Sequence, residues 1–167
     1  MERNQKLIRS AFAMLLACEL WIAPTHADPV PANESNTRDG LDALVTVDFG
    51  GSNNSAFGWE ALKLNLSGDN NSAFGTQALR SNTAADNSAF GAFSLFNTTT
   101  GSFNNAFGKT ALFTNTSGSQ NNAHGTDALK LNLTGSNNNA FGFEVLLSNT
   151  TASGNSAFGH QYGRRFQ

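Results

Sequence analysis

The chain has little charge and no bias in its sign: 13% of residues are Asp, Glu, Lys or Arg, and the formal net charge is −2. That excludes a basic footprint for nucleic acid. Cysteine occurs once, at Cys18, so no disulfide can form within one chain. The longest apolar run, Ser10 to Ala17, is too short to cross a bilayer, and Glu19 and Pro24 follow it. Histidine occurs three times. No Gly-x-Ser-x-Gly elbow stands ahead of a His and acid partner. The acids Glu60, Asp69, Asp86, Asp127 and Glu144 are scattered rather than gathered into a calcium loop of the Gly-Gly-x-Gly-x-Asp type. Glycine is spread along the chain, not clustered before a helix with a following Lys, so there is no phosphate cradle. These absences lead to the expectation of a protein that is not an enzyme and uses no cofactor or metal.

The N-terminus has a pattern of its own. Arg3, Lys6 and Arg9 form a basic segment, an apolar run follows, and Thr25-His26-Ala27 offers small residues at a cleavage site. Residues 1–27 are read as a signal peptide, with Asp28 as the mature N-terminus, a secreted or cell-surface location and a bacterial origin as the expectation. Leu15-Leu16-Ala17-Cys18 resembles a bacterial lipoprotein cleavage box. Lipidation of Cys18 would tether the chain to a membrane, whereas loss of Cys18 with the signal peptide is the preferred reading.

What the chain has in quantity is Asn, Ser, Thr, Gly, Ala and Phe, with Phe present 14 times. Disordered chains lack aromatics and carry high net charge, so this bias points to a repetitive packed structure. The Gly that closes each Ala-Phe-Gly or Ala-His-Gly triplet falls at Gly58, Gly75, Gly91, Gly108, Gly125, Gly142 and Gly159, in steps of 17, 16, 17, 17, 17 and 17 residues. A fixed period of this size marks a stacked repeat.

Units begin at Asn53, Asn70, Asp86, Phe103, Gln120, Asn137 and Gly154. Counting from those residues, position 2 is Asn54, Asn71, Asn87, Asn104, Asn121, Asn138 and Asn155. Position 4 is always Ala and position 6 always Gly. Position 5 is Phe57, Phe74, Phe90, Phe107, His124, Phe141 and Phe158, and position 10 is Leu62, Leu79, Leu95, Leu112, Leu129 and Leu146. Position 13 is Asn except at Thr98. In a parallel stack each column becomes a ladder of like side chains about 4.8 Å apart. The Phe and Leu ladders are expected to fill the interior. The Asn ladder is expected to hydrogen-bond amide to amide along the axis.

The expected fold is therefore all-β: a parallel β-solenoid or β-roll of about seven 17-residue coils, roughly 30 Å tall. Positions 1–6 read as the strand. Positions 7–12, as in Trp59-Glu60-Ala61-Leu62-Lys63-Leu64, place Ala and Leu side by side among good helix formers. That pattern points to a short helical turn in each coil, with a second strand as the alternative. Residues 28–40 read as a flexible leader, 41–52 as a degenerate N-terminal cap repeat, 53–159 as the solenoid and 160–167 as a C-terminal tail or cap.

The motif N-x-A-[hydrophobic]-G-x-x-A-L-x-x-N-x-x-G, carried by Asn54, Ala56, Phe57, Gly58 and their equivalents over residues 41–159, resembles the head repeats of bacterial trimeric autotransporter adhesins and repeats of some phage tail-fibre proteins. The resemblance implies left-handed parallel β-rolls, three chains around one axis, and binding to extracellular matrix, glycan or another surface. It implies no ligand residues. The functional expectation is an exported, adhesin-like binding or structural module, a homotrimer without nucleic acid, and membrane-bound only if Cys18 is lipidated. In such a trimer His124 is read as a swap within the Phe ladder, against the sharper alternative of three copies converging on a metal or anion.

Two alternatives stand beside that expectation. Ser67, Thr83, Thr99, Thr100, Ser117, Thr134, Thr150 and Thr151 recur at positions 14 and 15. An outward Thr or Asn face would suit a monomeric solenoid that binds ice or glycan, although turn chemistry explains the same residues. The other alternative is a non-functional fragment of a longer fibre protein. Asn65, Asn97, Asn115, Asn132 and Asn149 begin Asn-x-Ser/Thr triplets, which are glycan acceptors only in a eukaryotic secretory pathway.

Overall fold

The structure is a computed structural model that describes residues 35–45 and 51–160. The signal peptide, Cys18, residues 28–34 and residues 161–167 lie outside the described residues. All described residues belong to one compact unit, Ala32–Gln167.

That unit is a β-solenoid. Eight three-residue strands, β1 (Thr37–Asp39), β2 (Ser55–Phe57), β3 (Ser72–Phe74), β4 (Ser88–Phe90), β5 (Asn105–Phe107), β6 (Asn122–His124), β7 (Asn139–Phe141) and β8 (Ser156–Phe158), form one sheet in sequence order. Every neighbouring pair is parallel and in register, so Ala56 lies beside Ala73 and Phe57 beside Phe74. Each strand ends at the position-6 glycine. Gly58 has φ +126°, and a Cβ there would lie 2.7 Å from the carbonyl carbon of Gly75 on the next coil. Both the left-handed backbone and the close approach of coils require the absence of a side chain.

Positions 7–12 contain neither the helical turn nor the second strand that the sequence suggests. Ala61 N–H donates to the Gly58 carbonyl, Lys63 to Glu60 and Asn65 to Leu62, which makes three overlapping turns. Glu60 and Leu62 have φ of 55° and 50°, and the same two positions are left-handed in the following coils, for example Asp127 at 60° and Leu129 at 51°. A right-handed helix cannot alternate hand from residue to residue, so good helix formers are used here as corner residues. The left-handed Leu costs about 1–2 kcal/mol. Full burial of its side chain returns about 1.5–3 kcal/mol. The turns are also tied between coils: Glu60 N–H donates back to Leu41, and Leu62 N–H donates forward to Ala78.

The interior is narrow. Ala at position 4, Ala at position 9 except for Ser94 and Val145, and Leu at position 10 fill it, and Ala56, Ala61, Leu62, Ala73, Ala78 and Leu79 have no exposed surface. Successive strand residues point to opposite sides. Since position 4 points inward, the Phe at position 5 points outward. The expected interior Phe ladder is thus corrected: Phe57, Phe74, Phe90, Phe107, His124, Phe141 and Phe158 lie on the outer face of the sheet, with Phe90 36% and Phe158 75% exposed. An inward Phe would need room that a core of one Leu per coil does not have.

The solenoid also begins earlier than its sequence suggests. Residues 35–40, placed in a flexible leader by composition, carry β1 and the strand half of a coil of their own. Asn36 occupies the position-2 column and accepts the Asn54 N–H at 2.7 Å. Arg38 occupies the column of inward alanines and donates to the Leu44 carbonyl at 3.1 Å. A charged side chain in the core column of the first strand is a way of closing a sheet edge against further pairing.

Candidate binding face

Two asparagine columns hold the coils closed and leave the strand face fixed in position. The Oδ1 of Asn54 accepts the backbone N–H of Asn71 at 2.9 Å, and its Nδ2 donates to the Gly68 carbonyl of its own unit at 2.9 Å. The arrangement recurs at Asn71, Asn87, Asn104, Asn121 and Asn138. The expected bond between amides occurs as well, from Asn121 Nδ2 to Asn104 Oδ1 at 3.1 Å, but the backbone N–H is the constant donor. Asn155, on the last described coil, donates to Asn138.

The position-13 Asn closes the next corner. Asn65 Nδ2 donates to the Gly68 carbonyl and its Oδ1 accepts the Gly68 N–H, each at 2.9 Å. Thr98 takes that place in one coil. It is fully buried, and its Oγ1 is the one buried side-chain polar atom without a partner among the described residues. In the 16-residue coil the missing residue comes out of this corner, where Asn82 Nδ2 reaches the Ala84 carbonyl at 2.7 Å.

The inner Leu column, Leu62, Leu79, Leu95, Leu112 and Leu129, is wholly buried, while Leu146 is partly buried. The five wholly buried leucines are closed to a partner. The outer side of the strands is a regular surface open to recognition. There the Phe rings stack on one another at 4.8 Å with interplanar angles of 10°, 5° and 3° from Phe57 to Phe107. His124 continues the stack, 4.7 Å from Phe107 and 4.6 Å from Phe141, and Phe158 completes it at 5.0 Å. Each ring covers its neighbours' faces, so ring edges form the exposed strip. His124 therefore sits on the outer face of the sheet.

A polar column runs beside the strip. It is Ser55, Ser72 and Ser88 in the first half and Asn105, Asn122 and Asn139 in the second, where Asn105 Nδ2 donates to Asn122 at 2.9 Å and Asn122 to Asn139 at 2.8 Å. The pairing of β1 with β2 puts Asp39 in the Phe column, next to Phe57. In these two outward strand columns Asp39 is the only carboxylate. Sequence reading missed Asp39 because Thr37-Arg38-Asp39 lacks the Ala-Phe signature. The usable signal was Gly40, 18 residues before Gly58 and also left-handed, at φ +130°.

Charge collects instead at the corners. Glu60 accepts from Lys63 at 2.5 Å, Gln77 at 2.6 Å and Arg80 at 2.9 Å. These bonds, led by the one from Lys63, hold its carboxyl down at about 2. Lys63 is raised by Glu60 and then by Asp42. Burial pushes Asp127 up, but hydrogen bonds from Thr110 and Lys130 outweigh it and the net direction is down. Farther along this side Arg80 lies over the Phe96 ring at 5.8 Å, and Phe96 stacks on Phe113 at 5.3 Å.

The Thr hydroxyls at the next corner bridge coils. Thr83 Oγ1 donates to the Thr99 carbonyl at 2.7 Å and Thr116 Oγ1 to that of Leu133 at 2.9 Å. Leu66 and Leu133, 53% and 42% exposed, stand among these residues. Among the described residues no three His, Cys, Asp or Glu side chains are close enough to share a metal ion. Nor, among those residues, is any helix long and apolar enough to cross a membrane. Comparison with protein-family models, with characterised proteins and with solved structures finds no match.

Proposed function

We propose that this chain is an exported, non-enzymatic repeat module, adhesin-like in its action, whose working surface is the outer strand face. The observation that carries this reading is the outward placement of the Phe ladder. Six of seven coils place a Phe, and the seventh His124, on the outer side of the strands, in a straight strip beside a polar column. A continuous exposed apolar strip framed by polar groups suits association with another surface. Export rests on the pattern of residues 1–27, and a homotrimer on the resemblance of the repeats. Extracellular matrix or glycan is the proposed ligand class.

A second reading has its own support. The Leu column and the Asn clamps close within one chain, so no partner is needed to complete the core. A monomer that binds glycan or ice through its Asn and Thr columns accords with that. Absolute mass by light scattering on residues 28–167 separates the two. A trimer whose adhesion to matrix or glycan is lost in a folded Phe90→Ser/Phe107→Ser variant supports the first reading. A folded monomer at all concentrations, with no adhesion to a matrix and glycan panel, ends it.

A further inference from the structure

We propose that the Phe ladder is a binding strip for elongated, flat aromatic cations, which lie lengthwise across the coils with the positive end at Asp39. The stretch from Phe57 to Phe107 is four parallel rings in unbroken register, bounded by Asp39 on one side and His124 on the other. At about 4.8 Å per strand the interval from Asp39 to His124 spans about 24 Å. The ring faces are already occupied by neighbouring rings, so a ligand meets their edges. Ring edges carry the positive part of the aromatic quadrupole and attract the π-face of another ring in edge-to-face contact. A conjugated plate laid along the strip repeats that contact at every coil. A compact ligand repeats it once or twice.

The same edges disfavour a formal positive charge over the strip itself. They leave the end of the column as its place, where the exposed Asp39 carboxylate lies in register with Phe57. Along the outward columns of β1 to β8 no other carboxylate competes for it. The strip thus reads shape along its length and charge at one end.

The test uses thioflavin T, a flat benzothiazolium cation, and its uncharged benzothiazole analogue, titrated against the folded protein at low salt with oligomeric mass measured in parallel. Saturable binding of both dyes is expected. Asp39→Asn should weaken the cation about fivefold while the neutral dye changes less than about twofold, as expected for one near-surface charge pair. Phe74→Ser/Phe90→Ser should weaken both more than about tenfold through lost edge contacts. No saturable binding, an equal loss of both dyes in Asp39→Asn, or full binding in a folded Phe74→Ser/Phe90→Ser variant each overturns the strip. Should the serine variant not fold, the Asp39→Asn comparison decides alone. A trimer that binds no dye overturns the strip and leaves the proposed trimer standing, whereas a monomer that binds dye supports the strip and removes the trimer.

Discussion

The side-chain oxygen of Asn104 accepts the backbone N–H of Asn121 on the following coil, 3.0 Å away, in a site with no solvent exposure. One side chain thus serves the coil ahead through its oxygen and its own coil through the nitrogen it gives to Gly118. Asn104→Leu keeps the volume and orphans the Asn121 N–H. A buried donor left unmade costs about 1–3 kcal/mol, and the variant should lose about that much in urea unfolding with an unchanged m-value. The neighbouring Asn105→Ser, in the outward column where other coils already have Ser, should cost under about 0.5 kcal/mol. Equal losses in the two variants would show that the clamp does not operate.

Thr98→Asn should stabilise the protein. The substitution restores the residue found at Asn65, Asn115 and Asn132 and offers the Gly101 corner the bonds those residues make at Gly68, Gly118 and Gly135. It also removes the unpaired Thr98 hydroxyl. A gain of about 1–2 kcal/mol is expected, read as a rise in Tm. A fall would mean that this corner cannot admit the longer side chain.

The side on which each strand residue lies can be tested directly. Ala106 is fully buried and Phe107 is 38% exposed. Ala106→Leu should overpack a core with no spare width and cost about 3 kcal/mol or more. Phe107→Ser should cost about 1–2 kcal/mol, for a half-covered ring and its stacking. An interior Phe ladder would give the opposite order.

Acid stability should depend on Glu60. Its carboxyl is held at about 2, against an ordinary value of 4.5. A lowered folded value means that the unfolded chain binds the proton first. The contribution is fully present above about pH 4.5 and is lost as pH falls toward 2. Glu60→Gln should flatten the stability profile between those values and leave a smaller slope of the same sign, because Asp127 is also lowered. A profile identical to the parent's would refute the role given to Glu60.

Three of the Asn-x-Ser/Thr triplets bear on expression. Asn65, Asn115 and Asn132 are wholly buried and their amides hold corners. A glycan on any of them is incompatible with the fold. Passage through a eukaryotic secretory pathway should therefore yield glycosylated, misfolded chains that are retained. Replacing Ser67, Ser117 and Thr134 with Ala should restore release. Folded, secreted protein carrying glycan on Asn65 would contradict the structure.

Much of the stack was legible in the period alone. The spacing of Gly58, Gly75 and Gly91 gives coil length, register and strand position, because a parallel ladder demands like residues at like places. The side on which Phe lies was not legible from hydrophobicity, which favours burying Phe over Ala. The unvarying Ala at position 4 held the answer, since a core this narrow excludes anything larger while an outward position does not. The corners were misread for a different reason. Glu60, Ala61, Leu62 and Lys63 have helical propensities worth a few tenths of a kcal/mol each. Bonds to both adjacent coils and a buried Leu outweigh them. Arg38 and Asp39 were hidden because the first coil departs from the consensus where it meets the end of the sheet.

The Asn clamp gives the stack a direction in time as well as in space. Asn54 is oriented by the Gly51 carbonyl of the preceding coil and the Gly68 carbonyl of its own, and so its oxygen is aimed before Asn71 arrives. A finished coil is a mould with one acceptor set out for the segment that follows it. A chain delivered N-terminus first meets each mould in order, and can be completed one coil at a time while the rest of it is still emerging.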